Sequence, residues 1–154
     1  CKNVLDKKVL LAAEEDTIVN ILAQSGVHTD KYNFTTDFKE CEADGLSIYV
    51  KRESHATDML CCGFIFECNG EKIYYSGDAS NVPSDILNAF LSGEIKTMYQ
   101  ECTFLDTDST SHFSLKKLCE IIPYEERQRV YCMHLGDDIE DDIVKAGFRV
   151  PKIV

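Results

Sequence analysis

The stretch Lys72 to Ser80, Lys-Ile-Tyr-Tyr-Ser-Gly-Asp-Ala-Ser, decides how the rest of the chain is interpreted. It is a run of strand-forming residues that stops at Ser76, Gly77 and Asp78. Open α/β sheets present functional groups at the carboxyl ends of strands, where a glycine lets backbone or ligand approach closely. Gly-Asp pairs also form plain turns, so this stretch alone leaves a turn and a functional carboxylate open.

The composition is that of a globular protein of about one domain. The chain has 154 residues, of which 44% are hydrophobic and 28% charged. No apolar run approaches the roughly 20 residues that span a bilayer, and the start lacks the pattern of a signal peptide. We therefore expect a cytoplasmic protein that does not enter membranes. The net charge of -11 argues against long nucleic acid as a partner and favours a small substrate.

The cysteines predict a reduced protein. Most of them lie inside apolar runs that look like strands or helices, and none forms a Cys-x-x-Cys pair. We interpret them as reduced core residues rather than a disulfide framework. The positions are 1, 41, 61, 62, 68, 102, 119 and 132.

The order of predicted elements indicates an α/β fold with a mixed sheet and flanking helices. A strand over 7–13 and a helix over 15–24 come first. A hairpin then joins 32–38 to 46–52 around Asp44-Gly45, and a second joins 60–68 to 72–76 around Asn69-Gly70. Afterwards helices alternate with strands. The helices cover Pro83 to Leu91, capped by Asn81 or Ser84, then 114–122 and 140–146, and the strands cover 95–102, 129–134 and 148–154.

Three histidines share the position of Asp78 at the ends of predicted elements. His55 follows a strand, His112 precedes a helix after a polar loop, and His134 ends a strand. Imidazole nitrogen and carboxylate oxygen are ligands that suit zinc, and an aspartate can bridge two ions. The alternative is that each histidine only satisfies a backbone group at an element end. The residues by themselves leave both interpretations open.

The order and spacing of these motifs resemble the metallo-β-lactamase fold hydrolases, and within them the ribonuclease Z and phosphodiesterase branch. The resemblance covers nearly the whole chain from Lys7 to Val154. The stretches that carry it are His55-Ala-Thr-Asp, Cys62-Gly-Phe-Ile-Phe66, Ile73-Tyr-Tyr-Ser-Gly-Asp78, Glu101-Cys-Thr-Phe-Leu-Asp106, Ser111-His112 and Tyr131-Cys-Met-His-Leu135.

The resemblance implies a two-metal hydrolase. His55, Asp78 and His134 would be metal ligands, with Asp78 bridging two zinc or other divalent ions. A metal-activated hydroxide would attack a phosphodiester or similar ester. His112 would then protonate the leaving oxygen, and Glu101 would orient His112. For Glu101, capping of the adjacent turn stays an equal alternative.

One departure from the family limits this expectation. The signature His-x-His-x-Asp-His motif, expected upstream of Lys7, does not occur in the sequence. The chain therefore resembles the carboxyl-terminal portion of such an enzyme, a partial αββα sandwich in one domain over residues 1–154. Whether it is an artificial piece, a proteolytic product or a natural half is open. With half of the ligands, it should bind zinc weakly or not at all by itself.

The missing motif also bears on partners and on function. The strand Leu60 to Phe66 is apolar on both faces, as expected of a strand that is covered on both sides. We expect the uncovered face to meet either the missing amino-terminal half or a second copy of the chain. The alternative function is a non-catalytic assembly or interaction domain derived from this fold. The substrate stays open among cyclic nucleotides, other small phosphodiesters, RNA ends, thioesters and lactams.

Overall fold

The computed structural model describes residues 8–12, 15–35, 41–43, 45–55, 61–106, 111–135 and 139–152. The chain divides into two compact units, Cys1–Glu40 and Cys41–Val154, which are described separately. The assignment of residues 1–154 to one domain stays a prediction. Within the described ranges, every helix is too short or too polar to cross a bilayer.

The first unit contains a parallel strand pair joined by a helix. Strand β1 (Val9–Ala12) pairs in parallel with β2 (Tyr32–Thr35), and helix α1 (Glu15–Gln24) and a 3₁₀ turn (Thr29–Lys31) lie between them in sequence. The bounds of α1 agree with the prediction. The predicted hairpin between 32–38 and 46–52 is wrong, because a strand that follows a helical crossover pairs in parallel with the strand before the helix.

The second unit is built on a mixed sheet of six strands in chain order. They are β3 (Cys41–Ala43), β4 (Leu46–Glu53), β5 (Cys61–Cys68), β6 (Glu71–Tyr75), β7 (Ile95–Glu101) and β8 (Val130–Met133). Strands β3 to β6 form an antiparallel meander, whereas β6, β7 and β8 run parallel. Parallel neighbours end at the same edge of the sheet, so residues after β6, β7 and β8 meet there. This edge carries the candidate site.

Two tight turns set the register of the antiparallel half. Asn69 and Gly70 both have positive φ, 52° and 78°, as a type I′ hairpin turn requires. The resulting register places Phe66 opposite Ile73, and the predicted second hairpin is confirmed. The turn that contains Gly45 instead joins β4 to the short strand β3, which is the hairpin partner that sequence reasoning missed.

Three helices cover one face of this sheet. They are α2 (Ser84–Leu91), α3 (Leu115–Ile121) and α4 (Glu140–Lys145), and a 3₁₀ segment (Tyr124–Arg129) precedes β8. The core combines alternate strand residues with residues in or next to the helices: Tyr74, Met98, Val130 and Cys132 with Ile86, Phe90, Leu118, Ile122, Ile139, Ile143 and Phe148. The other face carries Ile73 and Tyr75, which are 37% and 41% exposed.

Details at the helix and strand ends differ from the sequence expectation in two places. Helix α2 follows Pro83 without a side-chain cap, so neither Asn81 nor Ser84 caps it. The predicted last strand is reduced to a single bridge between Arg149 and Tyr131 over the described residues to 152, since Pro151 has no N–H to continue a ladder. Cysteines 61, 68, 102, 119 and 132 are thiols outside any disulfide, as predicted.

Candidate metal and catalytic site

The end of β6 places Asp78 at the edge of the sheet. The Ser76 N–H continues the ladder by donating to the Tyr99 carbonyl at 2.9 Å. Gly77 then has φ 60°, and a Cβ at this position would lie 2.6 Å from the carbonyl oxygen of Cys62. Only glycine fits this approach, so the Gly-Asp pair is more than a surface turn.

Glu101 lies at the end of the neighbouring strand β7. Its N–H donates to Ser76 Oγ at 2.9 Å, which joins the ends of β6 and β7. Its side chain is only 1% exposed. A buried carboxyl group at a strand end is unusual because burial disfavours the charged form.

His112 is held opposite Glu101 by a short backbone bridge. The Thr103 N–H donates to the Phe113 carbonyl and the Leu115 N–H to the Thr103 carbonyl, each at 2.9 Å. The chain therefore returns to the end of β7 just before α3. His112 Nδ1 forms a hydrogen bond with Glu101 Oε1, and 47% of the His112 side chain stays exposed.

His134 follows β8 and faces the other carboxylate. It adopts a left-handed backbone conformation with φ 54°, which is sparsely populated for residues other than glycine. Its Nδ1 lies 2.8 Å from Asp78 Oδ1 and 3.9 Å from Glu101 Oε1. Asp78 and His134 are both 52% exposed.

His55 reaches the same edge from β4. The carbonyl of Ser54 accepts hydrogen bonds from the Ser80 N–H at 2.6 Å and from Ser80 Oγ at 2.9 Å, so this segment is tied to the loop after Asp78. The His55 and His112 ring centroids are 5.5 Å apart, and those of His112 and His134 are 5.9 Å apart. The three imidazoles thus lie side by side.

The structure therefore brings together all five residues that sequence reasoning selected: His55, Asp78, Glu101, His112 and His134. Their individual roles stay predictions. Burial raises the pKa of Glu101, while the hydrogen bond and charge of His112 oppose that rise. The site thus pairs one buried and one exposed carboxylate, each with its own histidine.

The side chains present fit a divalent cation. His55 Nδ1 and Glu101 Oε2 are buried and have no hydrogen-bond partner among the described residues. Buried polar atoms normally have partners, so such exceptions call for a group that satisfies them. His55, Glu101 and His112 offer ligand atoms within 4.8 Å of one another. Imidazole nitrogen with carboxylate oxygen is a donor set that zinc accepts.

A supporting contact next to the site was missed by sequence reasoning. Tyr74, fully buried, donates from its hydroxyl to Glu53 Oε1 at 2.7 Å. Glu53 reaches across β5 because Gly63 has no side chain, and a Cβ there would lie 2.8 Å from Glu53 Oε1. Burial is the main reason that the pKa of Glu53 rises to about 7. Alternation along β4 places Glu53 on the core-facing side, which was the available signal.

This fold and this site define a class of protein, the metallo-β-lactamase fold. One similar structure is a diphosphatase from the PhnP family, with a TM-score of 0.67 and 12% identity over 98% of this chain and 59% of that one. Another is the metallo-β-lactamase fold protein YhfI from Bacillus subtilis, with a TM-score of 0.67 and 15% identity over 98% and 66%. Zinc-bound PqqB from Methylobacterium extorquens matches with a TM-score of 0.63 and 13% identity over 94% and 62%.

Within this class, the chain belongs to the family of the anti-Pycsar protein Apyc1, whose family model matches residues 18–150. The anti-Pycsar protein Apyc1 of Bacillus phage BSP38 is 30% identical over 108 residues, 68% of this chain and 39% of the relative. That of Bacillus phage 010DV004 is 32% identical over 80 residues, 50% of this chain and 28% of the relative. The chain thus spans well under half the length of these relatives.

Proposed function

We propose that residues 1–154 form the carboxyl-terminal portion of a metal-dependent hydrolase that cleaves small phosphodiesters or similar esters. The observation that carries this proposal is the convergence of two carboxylate–histidine pairs, Asp78 with His134 and Glu101 with His112. Fold similarity to a diphosphatase from the PhnP family and to a structure described as a possible metal-dependent hydrolase supports the same class. A buried carboxyl group with a raised pKa, here that of Glu101, lying among histidines at one sheet edge is typical of a catalytic site.

Three residues would hold the metal ions. His55 would bind one ion and His134 the other, with Asp78 between them, since a carboxylate offers two oxygens. Bound divalent cations supply Lewis acidity that polarises a phosphoryl oxygen and makes water nucleophilic at neutral pH. Zinc is the first candidate because the donors are imidazole and carboxylate.

The Glu101–His112 pair would carry out the proton transfer to the leaving oxygen. With Nδ1 facing Glu101 Oε1, the imidazole leaves Nε2 for the substrate. His112 is about half exposed, so that nitrogen is within reach of a leaving oxygen, to which it would transfer a proton. Glu101 does not need to touch the substrate, and its role is to position the ring.

The rest of the proposed centre would come from elsewhere. Either an amino-terminal portion of the same fold or a second copy of the chain would supply further ligands and cover the sheet face that carries Ile73 and Tyr75. The net charge of -11 repels long polyphosphates, so the substrate is a small ester, with cyclic nucleotides first among the candidates. We expect the protein to act in the cytoplasm.

The test is hydrolysis by a completed site. A chimera in which this chain replaces the matched 108 residues of the phage BSP38 relative supplies the missing portion. With Zn²⁺ or Mn²⁺ it should hydrolyse bis(p-nitrophenyl) phosphate and 3′,5′-cyclic nucleotides. Asp78→Asn should abolish hydrolysis because it weakens the ligand shared by both ions.

The matched control is His28→Ala, which removes an exposed histidine of the first unit. It should leave hydrolysis unchanged, because His28 belongs to neither carboxylate–histidine pair. A chimera that takes up two metal ions but hydrolyses none of these substrates would contradict the proposal. That result would favour a non-catalytic assembly domain.

A further inference from the structure

Buried side chains hold the backbone on both sides of Asp78. The Ser76 hydroxyl donates to the carbonyl of Gly77, the residue before Asp78, at 2.8 Å. Gln100 Nε2 donates to the carbonyl of Ala79, the residue after Asp78, at 3.5 Å. Ser76 and Gln100 are both fully removed from solvent. The backbone that carries the Asp78 carboxylate is therefore held by a side chain that follows β6 and by one from β7.

Gln100 occupies a position in β7 where an apolar side chain is expected. Met98 and Cys102, two residues before and two residues after it, are fully buried members of the hydrophobic core. Alternation along a strand places Gln100 on the same side as these two residues. Glutamine is mostly exposed in proteins, whereas such core positions carry apolar side chains. The amide of Gln100 thus replaces an apolar group.

The amide of Gln100 has an unsatisfied oxygen. Its Oε1 atom is buried and has no hydrogen-bond partner among the described residues. A buried polar atom without a partner lowers stability, and an apolar side chain of similar shape avoids that cost. Stability alone therefore does not explain an amide at this position. Its contact with the Ala79 carbonyl supplies another reason.

We propose that Gln100 is a positioning residue for Asp78. By holding the Ala79 carbonyl, it sets where the neighbouring carboxylate lies at the edge of the sheet. Ser80 continues the restraint, because its N–H donates to the Ser54 carbonyl at 2.6 Å. This inference rests on the proposed function, in which the Asp78 carboxylate lies at the reacting centre. A displacement of about 1 Å at such a centre lowers turnover strongly.

Hydrogen exchange on residues 1–154 tests the restraint independently of activity. Gln100→Met replaces the amide by an unbranched apolar side chain of similar length. Exchange of the Ser80 N–H should become faster by about tenfold or more, because the segment after Asp78 loses an anchor. The Leu118 N–H, which donates to the Ser114 carbonyl in α3, should stay within about threefold of its rate in the unsubstituted chain. A global loss of stability would instead speed exchange at both amides.

Turnover by the phage chimera tests the consequence for catalysis. Gln100→Met should lower kcat by about tenfold or more. KM should stay within about threefold, because Gln100 is fully buried and does not reach the substrate. The matched control is Gln128→Met, the same substitution at an exposed position in the 3₁₀ segment before β8. It should leave kcat, KM and the exchange of the Ser80 N–H unchanged.

Three results would overturn the proposal. They are unchanged exchange at the Ser80 N–H, equal acceleration at the Ser80 and Leu118 amides, and an active chimera whose kcat does not respond to Gln100→Met. A chimera that is inactive without any substitution contradicts the proposed function alone. Exchange at the Ser80 N–H then still tests Gln100, so the two proposals fail separately.

Discussion

The two carboxylate–histidine pairs use the same chemical groups in opposite surroundings. Asp78 and His134 are both 52% exposed and lie 2.8 Å apart, whereas Glu101 is 1% exposed beside a half-exposed His112. Exposed ion pairs contribute little to stability because water screens them. A buried carboxylate instead carries a desolvation cost. On the proposed function, Glu101 is retained for its effect on His112 rather than for stability.

The backbone conformation also differs between the two pairs. In the exposed pair, His134 itself and Gly77, which precedes Asp78, have left-handed backbone conformations, φ 54° and 60°. Glu101 sits in regular strand β7 and its N–H is bound by Ser76 Oγ. Local strain at functional sites persists where the surrounding structure fixes it. The exposed pair thus depends on its turns, and the buried pair depends on the sheet.

The substitution with the largest expected effect on the free energy of unfolding disturbs both carboxylate–histidine pairs. Gly77→Ala would place a Cβ 2.6 Å from the Cys62 carbonyl oxygen in a left-handed conformation. We expect a loss of at least about 2 kcal/mol in the free energy of unfolding. Denaturant unfolding monitored by circular dichroism measures it.

The control for this substitution is Gly70→Ala. Gly70 has a similar φ of 78°, but nothing lies within 4 Å of an added Cβ. Only the conformational cost, roughly 1 kcal/mol, applies there. Equal losses for both alanines would show that the close approach to Cys62 is unimportant.

Substitutions of the two carboxylates should have different effects on the free energy of unfolding, and the effect at Glu101 should be an increase. Glu101→Gln removes a desolvated carboxyl group whose pKa burial raises. At neutral pH it should stabilise the protein, by roughly 1 kcal/mol, as substitutions at strained functional sites often do. Asp78→Asn should change stability by less than about 0.5 kcal/mol because its pair is exposed. Thermal unfolding of both variants measures these changes in stability. Destabilisation by Glu101→Gln would contradict the functional interpretation of the burial of Glu101.

A further predicted change appears in the pH dependence of stability and concerns the carboxyl group of Glu53. Burial raises the pKa of Glu53 from 4.5 to about 7, so the folded state holds this proton to higher pH than the unfolded state does. Stability from this group is therefore present below pH 4.5 and is lost as pH rises through about 7. Glu53→Gln should remove that slope, while its amide oxygen still accepts from the Tyr74 hydroxyl. Unfolding curves over this pH range measure the slope, and an unchanged slope would contradict the assignment.

Local signals in the sequence predicted parts of the fold and of this site. The Asn69-Gly70 turn, the helix over 15–24 and the abrupt end of the strand before Asp78 follow from propensities within a few residues. The strand partner of Tyr32–Thr35 did not follow, because pairing between distant segments has no local signal. The contact of Glu53 with Tyr74 was hidden for the same reason, since it crosses a whole strand at Gly63.

The left-handed conformation of His134 was also beyond prediction. Asparagine and glycine often adopt positive φ, so their presence in a sequence predicts it, whereas histidine adopts positive φ far less often. The position of His134 at the strand end was correctly expected, but its backbone geometry depends on the surrounding packing. Sequence reasoning therefore selected five residues that the structure brings together, and it missed the conformations and through-space contacts that orient them.

The most direct test of the account compares His112→Ala with His134→Ala in the phage chimera, with turnover and metal content measured on the same samples. His112→Ala should lower kcat by about 100-fold or more while two metal ions stay bound, because it removes the proton donor and no ligand. His134→Ala should lose one ion together with activity. Loss of metal on His112→Ala, or turnover that stays within a few-fold, would contradict the assignment of the buried pair to proton transfer and the exposed pair to metal binding.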